Sequence, residues 1–408
     1  MVFSGFFFGL GTAIAAASVA VGMMVLGRVV IGFGVGLASS TTPLFISEMA
    51  PYKYRGTLNL AFQMAVTIGI FAAQLINYGT QNIHPWSWRI SVALGGVPAL
   101  CMFIGSIILP DTPNSLVNRG KLDEARAVLK MIRGTEDVDV EFEDILVASE
   151  MAKTAPNPYM SIIKRRCVPQ LIIVIFLPLF QQFTGINAVM FYSPQMFQAA
   201  GQNSNDALLN TVIIGSVNVF STIIAIVLVD RLGRRFLFFQ GGAQMIASLA
   251  IVGALIKYNT DAPGNVHMAQ SIVAFICIYV AGFAWSWGPL AWLVPSEIST
   301  LETRSAGMSI ATCSNFLFTF LIGQCFLSML CAMEWGVFIF FLAIVVIMTM
   351  FVAACLPETK GVPVEEVDVV LFYNHWLWGR YMAPAGGLPR DNQDAAAVST
   401  VSLEADAK

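Results

Sequence analysis

The sequence predicts an all-α membrane protein of two helical bundles, with ten transmembrane helices arranged four plus six. Three observations carry this. Apolar runs of about 20 residues, the length that spans a bilayer, recur along most of the chain. Hydrophobic residues make up 57% of the 408 and charged residues only 12%, where a soluble domain carries about a quarter. Two short charged strings each return at nearly the same offset, which marks a duplicated half. A β-barrel would instead show alternating segments of about 10 residues.

Taken in order, the spans are predicted at 2–20, 22–46, 57–79, 90–109, 168–199, 207–229, 236–256, 268–294, 304–330 and 335–356. The first begins almost at Met1, without a basic stretch before it or a small-residue cleavage site, and reads as a span rather than a signal peptide. Pro178 and Pro289 are the expected kink points. Residues 1–109 form the first bundle and 167–367 the second. The polar segment 110–166 links them, and Leu122, Ala125, Leu129 and Ile132 fall at helical spacing within it, as in a short amphipathic helix on the membrane surface. The tail, 368–408, is rich in Ala, Pro and Gly, and disorder is expected over most of it.

Charge sets the orientation. Of the 22 Lys and Arg, Arg28 lies inside a span, Arg89 and Lys257 fall in one set of loops, and the remaining 19 fall on the other side. The positive-inside rule puts those 19, and both termini, in the cytoplasm. The net charge of −3 gives no footprint for nucleic acid. The seven cysteines form no C-x-x-C pair and the three histidines are scattered, so neither a metal nor a cofactor is expected. Paired acids, a histidine cluster or a nucleophile motif at membrane depth are also missing, which argues against an enzyme.

"SEMAPYKYRG" (47–56) and "SEISTLETRSAG" (296–307) each place an acid seven residues before an arginine: Glu48 with Arg55, Glu297 with Arg304. "LPDTP" at 109 returns as "LPETKG" at 356. The glutamates are 249 residues apart and the Leu-Pro strings 247. In the second half these strings follow the fourth and sixth spans, and in the first half the second and fourth, so the first half is expected to lack two N-terminal spans of a six-plus-six plan. "DRLGRR" (230–235) follows the second span of the second half. Arginine binds carboxylates bidentately across neighbouring helix ends. The expected role of Glu48, Arg55, Asp230, Arg231, Arg234, Arg235, Glu297, Arg304 and Glu358 is a cytoplasmic latch that closes in one conformation and opens in another. A plain topology anchor would need the basic residues but not the repeated acid.

Read together, "GRVVIGFGVGL" (27–37), "SEMAPYKYRG", "LPDTPNSL" (109–116), "QQFTGINAVMFYSP" (181–194), "DRLGRR" and "LPETKG" stand in the order found in the sugar porter family of the major facilitator superfamily, which the chain resembles from residue 1 to about 367. "LPDTPNSL" and "LPETKGVPVEE" lean toward the proton–hexose symporters of plants and green algae. The resemblance implies secondary-active transport of a monosaccharide by alternating access between two six-helix halves, with the proton as co-substrate, the bilayer as solvent and the plasma membrane as location. It also implies a start at the family's third span. A non-transporting sugar sensor, or an inactive short isoform or gene model, are the alternatives.

Amides buried in a bilayer cost several kcal/mol unless partnered, and a sugar is a ring of donors and acceptors. Gln63, Gln181, Gln182, Asn187, Asn218, Asn315 and Trp292 match the family's sugar-contacting positions. Helix–helix glue by Gln and Asn is the bland alternative. It fits single amides better than the Gln181–Gln182–Thr184–Asn187 cluster, which has Gly185 beside it. Arg28 lies 20 residues before Glu48, about 30 Å along a helix, and so in the outer half of the membrane. A charge at that depth is normally paired. The resemblance implies that its partner is an aspartate on the family's first span, which carries the coupled proton.

Overall fold

The computed structural model describes residues 1–51, 55–83, 85–154, 158–163, 167–199, 203–261, 266–299, 303–360, 371–372 and 375–379. Lys53, His84, the Arg55 and His267 side chains and nearly all of the tail lie outside the described residues, and the expectation of a disordered tail lies there with them.

The described chain is helical throughout. The first group is α1 (Val2–Ala16), α2 (Val21–Met49), α3 (Arg55–Thr80), α4 (Ser87–Leu94) and α5 (Gly96–Ile108). A connecting group follows: α6 (Pro113–Asn118), α7 (Leu122–Arg133), α8 (Asp139–Thr154) and α9 (Pro158–Ser161). The last group is α10 (Val168–Phe183), α11 (Ile186–Ala199), α12 (Ser204–Leu232), α13 (Arg234–Asp261), α14 (Val266–Ala284), α15 (Trp287–Ile298), α16 (Arg304–Met333) and α17 (Gly336–Cys355). Among the described residues, nine continuous or nearly continuous helical stretches are long and apolar enough to cross a bilayer. The predicted first span differs: α1 has 15 residues, short of the usual span. It ends at Ala16, and two residues further on the Ser18 carbonyl accepts from Arg89 Nη2 at 2.9 Å.

Small residues let the first helices approach closely. Gly27 of α2 lies against the Ala15 backbone, Gly34 against Phe8, and Gly5 of α1 against Phe103 of α5. The main buried core lies in the last group, where Leu177, Phe238, Tyr279, Trp287, Leu290 and Phe341 pack together. In the first group Phe3, Phe6, Val25, Val29 and Phe33 point outward. The two groups meet along three seams: α3 against α12, α3 against α15, and α2 against α16.

Three predicted spans are broken helices. The fourth splits into α4 and α5 at Gly95, three residues before Pro98, which can neither donate to the preceding turn nor avoid its carbonyl. The fifth breaks at Thr184–Gly185, not at Pro178, which sits inside an unbroken α10. Gly185 has φ +85°, and a β-carbon there would strike the Phe341 ring. The eighth breaks at Trp285–Ser286, just ahead of Pro289.

The connecting group is polar and locally specified. Thr112 caps α6, its hydroxyl accepting from Ser115 N at 3.3 Å, with Pro113 as the first helical residue. α7 opens on Asp123 and Glu124, closes on Lys130 and Arg133, and ends at Gly134 with φ 67°, each in line with the helix dipole and left-handed cap. Ala125 and Leu129 are buried as the periodicity predicts, while Leu122 is exposed. Arg133 pairs with Glu141 at 2.6 Å and donates to the Met49 carbonyl at 3.1 Å, tying α7 to the end of α2. After α17, Trp378 Nε1 donates to the Cys355 carbonyl at 2.6 Å. Burial first, then the Arg235 cation, holds His375 below the usual imidazole pKa, so the ring is neutral at pH 7.

Gly185 and Gly120 separate backbone strain from crowding. Both have positive φ, but only Gly185 faces a neighbour. Changing either to Ala costs about 1–2 kcal/mol for the left-handed backbone. Gly185→Ala adds the collision with Phe341, so its thermal midpoint in detergent falls further than that of Gly120→Ala; equal losses would mean that the ring contact is not felt.

Candidate functional site

Interrupting a helix in hydrocarbon strands backbone carbonyls, which must find donors inside the protein. At the first break of the last group a side chain supplies one, and beside the second a side-chain amide adds a donor to carbonyls in the first turn of α15. Tyr279 Oη of α14 donates to the Thr184 carbonyl at 2.7 Å. Gln181 Nε2 donates to the Gly288 carbonyl at 2.8 Å and the Trp287 carbonyl at 3.2 Å. Its Oε1 accepts from Asn315 Nδ2 at 2.7 Å. One amide therefore joins α10, α15 and α16 where two helices lose their regular ladders.

The other predicted residues gather around it. Gln182 Oε1 accepts from Asn187 Nδ2 at 2.5 Å, across the Gly185 break. Gln63 of α3 is buried and lies over Gly288, whose missing side chain leaves room for its amide. Trp292 stands edge-on to Phe62 of α3, ring centroids 5.5 Å apart. Gln63 and Trp292 thus bring the two helix groups together at the same level as Gln181. Asn218 of α12 is buried, and its Oδ1 has no partner among the described residues. Trp285 and Trp287 also keep indole N–H groups without a partner there, and Trp287 packs on Phe238 at 4.6 Å. Unpaired donors and acceptors at membrane depth, with aromatic edges beside them, suit a small ligand that offers both hydroxyls and C–H faces.

A second cluster sits at the charged ends of the helices. Arg234 bonds Glu297 through Nη2 at 2.7 Å and Nε at 3.3 Å, and Asp230 at 3.1 Å. Glu358 accepts from the backbone N–H groups of Arg234 at 2.9 Å and Arg235 at 3.0 Å, at the N-terminus of α13 where the helix dipole favours an acid. Thr359 donates to Glu297 at 2.6 Å. Arg235 Nη2 reaches the Ala353 carbonyl at 2.7 Å, and the Arg231 carbonyl accepts from Lys360 Nζ at 2.9 Å. All of these contacts lie within the last group.

Contacts between the groups are fewer. Thr57 Oγ1 donates to Asp230 at 2.7 Å, and Asn59 Nδ2 to Ser296 Oγ at 3.1 Å. Glu48 is hydrogen-bonded by Thr112 and Asn114 and feels the Arg304 cation across the α2–α16 seam. Arg304 Nη2 donates to the Ser296 carbonyl at 3.3 Å. Thr57, Asn59, Ser296, Thr359 and Tyr279 were not expected from sequence. Thr57 and Asn59 follow Arg55 closely, and that spacing was the available signal. Arg28 is exposed on the outward face of α2, and the structure brings it to neither cluster.

The Arg234–Glu297 pair is testable by a double-mutant cycle with Arg234→Met and Glu297→Gln. Removing one partner of a mostly buried pair costs about 3 kcal/mol. A coupling energy above about 1 kcal/mol in detergent unfolding is expected; additive single effects would count against the pair.

The sequence profile of the family described as "Sugar (and other) transporter" matches residues 1–371. H(+)/hexose cotransporter 2 of Parachlorella kessleri is 51% identical over 411 residues, covering 99% of this chain and 75% of that one. Sugar transport protein 10 of Arabidopsis thaliana is 51% identical over 386 residues, covering 94% of this chain and 75% of that one. Among solved structures, the major facilitator superfamily proton:xylose symporter XylE bound to 6-bromo-6-deoxy-D-glucose superposes with TM-score 0.78 at 28% identity, covering 90% of this chain and 82% of that one. The inward open conformation of XylE from E. coli gives 0.70 at 26% identity, covering 91% and 81%.

Proposed function

The chain belongs to the sugar transporter family of the major facilitator superfamily, and on that premise we propose that the amide cluster at the two helix breaks binds a hexose, carried across the membrane by alternating access. The observation that supports this reading is that Gln63, Gln181, Gln182, Asn187, Trp292 and Asn315 are linked through contacts at the helix breaks beside α3, with Asn218 buried on the neighbouring α12. Gln181 holds the site together, while the amides of Gln182, Asn187 and Asn218 and the face of Trp292 meet the sugar. The work done is binding and conformational change, with no covalent chemistry and no cofactor.

The proton is the second substrate in this reading, supported by relatives named as a proton/hexose cotransporter and a proton:xylose symporter. Arg28 is its charge at membrane depth: a carboxylate facing that arginine would be held ionised until the arginine withdrew. Among the described residues no Asp or Glu occupies the middle of a membrane-crossing stretch. The α1 helix serves as a tenth span beside the nine longer ones, giving four spans before the connecting segment and six after it. The charged face is cytoplasmic by the positive-inside rule, and the plasma membrane is the location. Glu48, Arg55, Arg304, Asp230 and the Arg231–Arg234–Arg235–Glu297–Glu358 network form the latch, closed here by Thr57–Asp230 and Asn59–Ser296.

In liposomes, labelled glucose uptake should saturate and should accelerate when the outside is made acidic. Gln181→Ala lowers kcat/KM at least tenfold, because it removes the bonds that join α10 to the first turn of α15 and to Asn315 of α16. Uptake that stays linear with concentration in the unmodified chain would reject transport. Uptake indifferent to the proton gradient would leave the sugar and remove the proton. For the latch, spin labels at the charged ends of α3 and α12 should report a larger separated fraction in Asp230→Asn; an unchanged distance distribution would exclude that contact from gating.

A further inference from the structure

Gln74 is the amide that neither the motifs nor the site above accounts for. It lies on α3, 11 residues beyond Gln63 and so on nearly the same helix face. Its Oε1 is buried and has no hydrogen-bond partner among the described residues. It sits where a β-carbon on residue 215 would stand, so Gly215 of α12 is what lets the amide enter the seam. Thr57 bonds Asp230 near one end of the same seam, so α3 and α12 run antiparallel and Gln74 lies toward the opposite end. Asn218 is three residues from Gly215 on α12, about 4.5 Å along the helix axis. Its Oδ1 is likewise buried and without a hydrogen-bond partner among the described residues, as is Asn59 Oδ1 near the other end of α3.

Two buried acceptors one turn apart, from opposite helix groups, call for a ligand with two adjacent donors. Lone acceptors in a dry seam are costly, and a pair of vicinal hydroxyls satisfies both at once. We propose that Gln74 and Asn218 together form a diol-recognising wall of the sugar site, with Gln74 as a specificity-determining residue that accepts from one hexose hydroxyl. The inference rests on the hexose reading above and adds which side of the site reads the hydroxyl pair. Gly215 acts as a positioning residue, since any side chain there displaces the Gln74 amide.

The test is equilibrium binding to the purified full chain in detergent, by sugar-induced thermal stabilisation, with D-glucose and its mono-deoxy derivatives. Gln74→Met keeps the shape and removes the acceptor. It should weaken glucose binding about tenfold, and one deoxy derivative, lacking the hydroxyl that Gln74 receives, should bind the variant and the unmodified chain equally. Asn218→Leu should single out the derivative deoxygenated at the neighbouring carbon. Gly215→Ala should reproduce the Gln74→Met pattern, and it carries the test if Gln74→Met fails to fold. A loss equal for every derivative, or no loss, overturns the proposal. Binding with the expected pattern but without saturable uptake would reject transport and leave the Gln74 assignment standing. No binding of any hexose by the unmodified chain would reject both.

Discussion

The constraint on which the rest of the structure depends is that a peptide carbonyl inside a bilayer cannot be left without a donor. Two helices of the last group are interrupted; Tyr279 covers a carbonyl at the first interruption, and Gln181 ties the first turn of α15, just past the second, to α10 and α16. Tyr279 takes the Thr184 carbonyl and Gln181 takes those of Trp287 and Gly288. Glycine is required at 185 because the turn has positive φ and because Phe341 fills the space beside it. A regular helix through the Gly185 point would carry the chain past the place where Tyr279 meets the Thr184 carbonyl.

Charge is distributed on a different principle. The acids and arginines at the helix ends bind mostly to one another within the last group, with Glu358 covering the first N–H groups of α13 and Glu297 holding Arg234. That network makes a rigid plate. Besides the Glu48–Arg304 attraction across the α2–α16 seam, the groups are joined by bonds that are neutral or singly charged, Thr57–Asp230 and Asn59–Ser296. Contacts of that kind break without exposing an unpaired buried ion pair, whose loss would be expensive. A strong plate with weak joints suits an interface that opens repeatedly.

How much of this could be read from sequence divides by length scale. Apolar runs fix helices, and the predicted span 207–229 lies wholly inside α12. The amphipathic spacing of α7 is legible because Ala125 and Leu129 need only a local pattern. Pro178 is the expected kink point of the fifth span, whereas the helix itself ends just before Gly185, whose positive φ costs glycine little. The amides could be named from their depth, but not their partners: that Gln181 would reach Gly288, 107 residues away, depends on how α10 meets α15. Gln74 went unremarked for the same reason, since its meaning comes from a glycine on another helix. The length of α1 was also overread, because a run of apolar residues does not reveal that the helix ends at Ala16.

The two clusters are joined by one short element. α15 has 12 residues; Gly288 lies in its first turn under Gln63 and Gln181, and Ser296 and Glu297 in its last. Nine residues of helix put those ends about 13 Å apart, along a mostly buried segment that carries Pro295 near its far end. The Trp285–Ser286 break lies just ahead of its Gly288 end. At its other end α15 meets Asn59 of the first group through Ser296 and holds Arg234 through Glu297. One helix of the last group therefore touches α3 at both of its ends, through Gly288 under Gln63 and through Ser296 on Asn59.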